Sequence, residues 1–162
     1  MHKAILRLLL TTSLCLMSSL PLAAQEALSD ESKQQANSIL DQLHQNASQA
    51  NWDSYFSLYH QQAVFLGTDA TERWDMQQFA GYARPTDGWH YEVSSRQLLQ
   101  FDNTIVFDEL LESASYGLCR GTGALQLTDD GWKIIQYHLS IAVPNDNAKA
   151  VARLIGAKKQ AK

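Results

Sequence analysis

The spacing of apolar residues along this chain changes once, and the change divides it into a helical first half and a sheet-forming second half. Ala36, Ile39, Leu40, Leu43, Ala47 and Ala50 recur at three- and four-residue intervals behind Ser29, Asp30 and Glu31. That order predicts a helix capped by a hydroxyl, with acidic residues at the positive end of its dipole. Asn51 is positioned to cap a second helix carrying Trp52, Tyr55, Phe56 and Tyr59 on one face. Val64, Phe65 and Leu66, closed by Gly67, predict a short buried strand. Asp75 and Gln78 form a capping-box pair, with Trp74 and Phe79 at the staple positions, so a helix is expected from Asp75 to before Pro85. Between strand and helix lies the polar loop Thr68 to Arg73, a plausible pocket rim.

From residue 88 the period becomes two. Residues 88–101, 104–112, 116–127 and 132–143 predict four strands joined by turns at Asp102-Asn103, Ser113 to Ser115 and Asp129 to Gly131. Hairpins in series make an antiparallel meander, and a helix is expected over residues 145–156, followed by a basic tail. The fold class is therefore α+β, with helices covering one face of a strongly curved antiparallel sheet. Curling such a sheet around helices leaves a cone with an open end.

A two-residue turn at Asp102-Asn103 places Arg96 opposite Glu109. The next turn places Arg120 opposite Asp108 or, with one more residue, opposite Glu109. This charged row is either an inward anion or proton-transfer site or a cross-strand ion pair on the outer face. A carboxylate beside arginine stays ionised and is a poor base, which shifts attention to Asp69, Glu72 and His138. Asp69 and Glu72 also suit turn stabilisation, and His138 suits a satisfied core histidine. His44 and His60 lack metal-ligand spacing and are assigned to the surface or to helix ends. Gly121 and Gly123 share one face of a strand and predict a bend or a close approach; no helix start follows them, so they are not a phosphate loop.

Residues 1–24 carry Lys3 and Arg7, an apolar stretch and Leu22-Ala23-Ala24, the pattern of a cleaved export signal. Cys15 would suit a lipoprotein, but Leu14 stands where that processing needs a small residue. An exported protein, periplasmic or secreted, is expected, with residues 25–162 forming a single domain. Without Lys3 and Arg7 the chain has 11 basic residues against 17 acidic ones, a balance that argues against nucleic acid or membrane as partner. Cys119 is then the one remaining cysteine, so no internal disulfide is expected and its expected role is a small buried side chain.

Three segments resemble the SnoaL-like branch of the nuclear transport factor 2 superfamily: Asn51-Trp-Asp-Ser-Tyr-Phe-Ser-Leu-Tyr59, Ala63-Val-Phe-Leu-Gly67-Thr-Asp-Ala-Thr-Glu-Arg-Trp74 and Gly131-Trp-Lys-Ile-Ile-Gln-Tyr-His-Leu-Ser140. The resemblance implies a conical α+β fold, commonly a homodimer, with a cavity between sheet and helices. It carries no catalytic residue onto this chain, because that superfamily holds proton-moving enzymes as well as proteins that only bind. The first expectation is a domain that binds a small, partly apolar molecule without a cofactor. Its polar contacts would come from Asp69, Glu72, Arg73, Arg120 and His138, and its walls from Trp52, Tyr55, Trp74, Phe79, Tyr82 and Trp89. The alternatives are an isomerase, cyclase or lyase, with Asp69 or His138 as base and Tyr137 or Arg73 steadying an oxyanion, and a homodimerisation or partner-binding module.

Overall fold

Ser29 opens the first helix, its hydroxyl accepting from the Ser32 amide at 3.1 Å. The computed structural model describes residues 28–160, so the export-signal reading of residues 1–24 lies outside the described residues. Helix α1 runs Asp30–Ser48 and buries Ala36, Leu40, Leu43 and Ala47. Helix α2, Trp52–Ser57, is shorter than its aromatic spacing suggests, because Tyr59 already begins strand β1, Tyr59–Leu66. Tyr59 stays buried by facing inward from the strand, so one aromatic stripe serves both elements. Asn51 occupies the cap position of α2 without capping it; its amide instead donates to Asn46 Oδ1.

The polar loop after β1 ends in a short strand, β2, Arg73–Asp75, which pairs antiparallel with β1. Helix α3, Met76–Ala83, starts with the complete capping box: Asp75 accepts from the Gln78 amide at 2.8 Å, and Gln78 Oε1 accepts from the Asp75 amide at 3.1 Å. Trp74 and Phe79 stack across that start as a staple. Asp75→Ala is expected to cost about 1 kcal/mol of stability, the usual worth of an N-cap side chain, measured by urea denaturation.

Strands β3 (Glu92–Phe101), β4 (Thr104–Ser113), β5 (Gly117–Thr128) and β6 (Gly131–Ile141) form the expected meander. Residues 88–91, expected to open β3, instead dock on the end of α1: the Trp89 amide donates to Ala47 O, and at Gly88, with φ at +93°, a side chain would collide with that carbonyl. The curled six-stranded sheet has the order β2-β1-β6-β5-β4-β3 and is mostly antiparallel, β1 alone running parallel to β6 among the described pairs. Helices α1 to α3 and the inward faces of the strands share one core. Cys119 is fully buried in β5.

The Asp102-Asn103 turn places Arg96 opposite Glu109, as its length requires. Both expected partners of Arg120 are corrected, for Arg120 lies opposite Leu110, and Gly121 opposite Glu109. The turn is Ala114 to Tyr116, and Gly117, at φ +67°, takes the left-handed position that follows a three-residue loop. Helix α4, Asn145–Gln160, runs beyond Gly156 and is exposed over most of its length, including Leu154 and Ile155. None of the helices of the described residues is long and apolar enough to cross a membrane.

Candidate functional site

At the open end of the sheet is a cleft of about 320 Å³ between α1, α3, the end of β1 and the middle of β6. Nine aromatic residues line it. Phe65 and Phe79 stack at 3.9 Å between ring centres, with Trp74 and Tyr137 in nearly parallel planes at 6.0 and 6.3 Å from Phe65. Tyr55 and Trp89 meet edge to face at 5.9 Å. Local geometry explains the array. Alternation along β1 and β2 sends Phe65 and its partner Trp74 inward together, and the staple brings Phe79 onto both.

His44 and Tyr137, on the cleft wall, lead to a buried carboxylate. Glu109 is fully buried on β4. Its Oε1 accepts from Arg96 Nε at 2.6 Å; its Oε2 accepts from His44 Nε2 at 3.0 Å and Tyr137 Oη at 3.2 Å. Arg96 Nη1 also donates to Asp41 Oδ1 at 2.8 Å and to Asn37 Oδ1 at 3.1 Å, so the network ties α1 to the sheet. Burial raises the Glu109 pKa, but the hydrogen bond and charge of His44 and then Arg96 outweigh it and hold the carboxyl below its ordinary value. Burial, followed by the Glu109 charge, drives the Tyr137 phenol well above its ordinary value. Tyr137 thus keeps its proton at neutral pH and donates it in the hydrogen bond to Glu109. Since Glu109 is an ionised acceptor, Nε2 of His44 is the nitrogen that carries the proton shared with it.

Gly121 gives this cluster its room. A methyl group there would collide with Tyr137 Oη and come within 3.2 Å of Glu109 Oε2. Gly121→Ala is expected to cost about 1–3 kcal/mol, as overpacking usually does, and to push the phenol off the carboxylate. The loss is read by thermal denaturation and the displacement by tyrosine absorbance.

Of the residues expected at a site from the sequence, Tyr55, Glu72, Trp74, Phe79, Tyr82, Trp89 and Tyr137 line the cleft. Trp52 lies behind the wall, packed on Trp89 at 4.8 Å. Asp69 is exposed at the loop tip, where its Oδ1 accepts from the amide and hydroxyl of Thr71, the turn-stabilising arrangement. Arg73 is paired with Leu66 and stands on the face opposite Trp74. His138, between the inward Tyr137 and Leu139, stands on the outer face beside Thr122. Arg120 is half exposed, 4.0 Å from Asp108, the surface ion pair rather than the inward site. The charged row therefore splits: Arg96 and Glu109 face the interior, Asp108 and Arg120 face outward.

His44, expected at the surface or a helix end, instead closes the buried cluster. A signal for it exists in the sequence, because His44 sits four residues after Leu40 and three before Ala47, on the apolar stripe of α1.

A family model described as the SnoaL-like domain matches residues 36–144. The chain belongs to the SnoaL-like family. Solved structures with the same fold include a cystatin-like fold protein from Burkholderia xenovorans LB400 with a TM-score of 0.65. It is 16% identical, with 75% of this chain and 100% of that one covered. A nuclear transport factor 2-like protein of unknown function from Pseudomonas putida KT2440 gives a TM-score of 0.63 at 10% identity, covering 74% and 93%. A protein from Streptomyces avermitilis proposed as a dehydratase of that family gives 0.61 at 12% identity, covering 71% and 99%. Identities this low show a shared fold only. No curated protein matches the chain. The SnoaL-like assignment thus establishes the nuclear transport factor 2-like architecture that the cleft belongs to.

Proposed function

We propose that this SnoaL-like domain is exported and binds a small, partly apolar molecule in the cleft between α1, α3 and the sheet. The observation that carries the reading is an aromatic-walled space of about 320 Å³ with a polar floor formed by His44 and Tyr137. Small-molecule sites are commonly clefts of roughly this size, mostly apolar with a few convergent polar groups. Stacked rings suit a flat apolar body, and the floor offers the phenol oxygen of Tyr137, whose proton is given to Glu109, and the imidazole of His44. Asp69, Arg73, His138 and Arg120 take no part in this form of the reading, because the fold carries them to the loop tip or the outer face.

Native mass spectrometry of gently purified protein, together with tryptophan fluorescence titration by 1-naphthol, tests it. Saturable one-to-one binding is expected, weakened at least about fivefold in Tyr82→Ala, which removes a half-exposed wall ring. Absence of both a retained mass and saturable quenching overturns the reading.

An acid–base enzyme is the second reading, favoured by one contact. Ionised Glu109 fixes the His44 imidazole, the arrangement that orients a catalytic histidine. Glu109 itself is held by Arg96 and is not the base. Deuterium exchange into small ketones, followed by NMR, should then depend on His44. His44→Gln abolishing exchange while naphthol binding persists would favour it; equal exchange in both proteins would exclude it.

A further inference from the structure

The loop between β1 and β2 continues their pairing: the Gly67 amide donates to Glu72 O at 2.9 Å, one step beyond the Leu66 and Arg73 pair. Directly opposed residues of antiparallel strands project to the same face, so Glu72 points inward with Phe65 and Trp74, while Arg73 points outward. Gly67 lacks the side chain that would fill this inward position, and the Glu72 side chain lies in that space; a methyl group on Gly67 would collide with Glu72 Oε2. A carboxylate is therefore laid against the cleft wall, and Glu72 Oε2 also accepts from the Asp69 amide at 3.1 Å, which fixes it. Both Gly67 and Glu72 line the cleft.

Charge around the space is one-sided. Glu72 is the sole carboxylate among its described lining residues, and neither lysine nor arginine lines it. Arg96 is engaged by Glu109 and Asp41 beneath the floor, and Arg84 pairs with Asp53. Trp74, two positions on from Glu72 and on the same inward face, has its ring 4.9 Å from that of Tyr82 and tilted by 36°, and the exposed Tyr116 also lines the cleft. Aromatic faces carry negative quadrupole potential, and a carboxylate set among them adds to it.

We propose that the cleft selects organic cations, its occupant carrying an ammonium group that seats at the Glu72 carboxylate against the rings of Trp74 and Tyr82. This rests on the binding function proposed above and names the chemical class of the ligand. A carboxylate ligand at this end of the cleft is disfavoured for the same reason, since it would meet Glu72 with neither lysine nor arginine among the described lining residues to receive it, and His44 on the floor already faces Glu109.

The test is a fluorescence titration of the intact protein with three probes of similar shape: benzyltrimethylammonium, benzyl alcohol and phenylacetate. The cation is expected to bind at least about tenfold more tightly than the alcohol, and phenylacetate most weakly. In Glu72→Gln, which keeps an acceptor for the Asp69 amide, the cation's advantage should collapse while the affinity for the alcohol is retained. Salt supplies a measurement that needs no variant: raising ionic strength should weaken the cation and leave the alcohol unchanged. Equal binding of cation and alcohol, or preference for phenylacetate, overturns the inference while leaving small-molecule binding intact. Failure of the cation to bind while 1-naphthol still does overturns the inference alone, and failure of all three probes and of 1-naphthol overturns both.

Discussion

Glu109→Ala is expected to destabilise the fold by about 3 kcal/mol, the lower end of the range for stripping one partner from a buried ion pair. Three groups lose their acceptor together: Arg96 Nε, His44 Nε2 and Tyr137 Oη. Arg96 keeps Asp41, which limits the loss, although Nη2 is already buried without a partner among the described residues. Replacing both Glu109 and Arg96 with leucine should cost less than the sum of the losses in Glu109→Leu and Arg96→Leu, because no charge of the pair is then left stranded. Urea denaturation of the four proteins measures the coupling. The same carboxylate gives stability an acid limb. A pKa lowered by folding means that the native state binds fewer protons than the unfolded chain in acid. The contribution is therefore complete above the unfolded value of 4.5 and is lost as pH falls through the lowered one. In Glu109→Gln that limb should shrink relative to the parent protein.

Phe79→Ala should cost about 3–5 kcal/mol, the range for deleting a buried phenylalanine ring. Phe79 is wholly buried, stacks on Phe65 at 3.9 Å and meets Phe56 edge to face at 5.4 Å, so its loss unpins α3 from β1 and α2 together. Phe79→Leu, which retains most of the volume, should cost less than about 1.5 kcal/mol. Chemical denaturation separates the two. A similar loss for both would mean that the ring stack on Phe65, and not the buried volume, sets the stability of this corner.

The strongest local signals in the sequence are those confined to neighbouring residues. The Asp75 and Gln78 box, the Trp74 and Phe79 staple and the two-residue turn at Asp102 depend on contacts within a few positions, and each forms as its residues require. Register across the Ala114 to Tyr116 turn was legible only to within two residues, since Ser113 suits a turn as well as a strand end. That uncertainty carried Arg120 to the wrong partner. The cleft walls were readable because ring spacing survives small boundary errors, whereas the polar floor was not. His44 and Glu109 meet across 65 positions, and the place of His44 on the apolar stripe of α1 signals burial but does not name the partner it meets. Glu72 and Arg73 show the limit most directly: adjacent charged residues on one loop are sent to opposite faces by a pairing that no single residue announces.

The parallel seam between β1 and β6 also bears on how the chain folds. Tyr59 must find Ile134, and Leu66 must find His138, so this seam closes a loop that contains every other strand. Long loop closure carries an entropic penalty that local hairpins avoid, and high contact order slows folding. The hairpins from β3 to β6 are therefore expected to zip first, with docking of β1 as the late step. During synthesis, β1 has no permanent neighbour in the sheet beyond β2 until the last strand has left the ribosome.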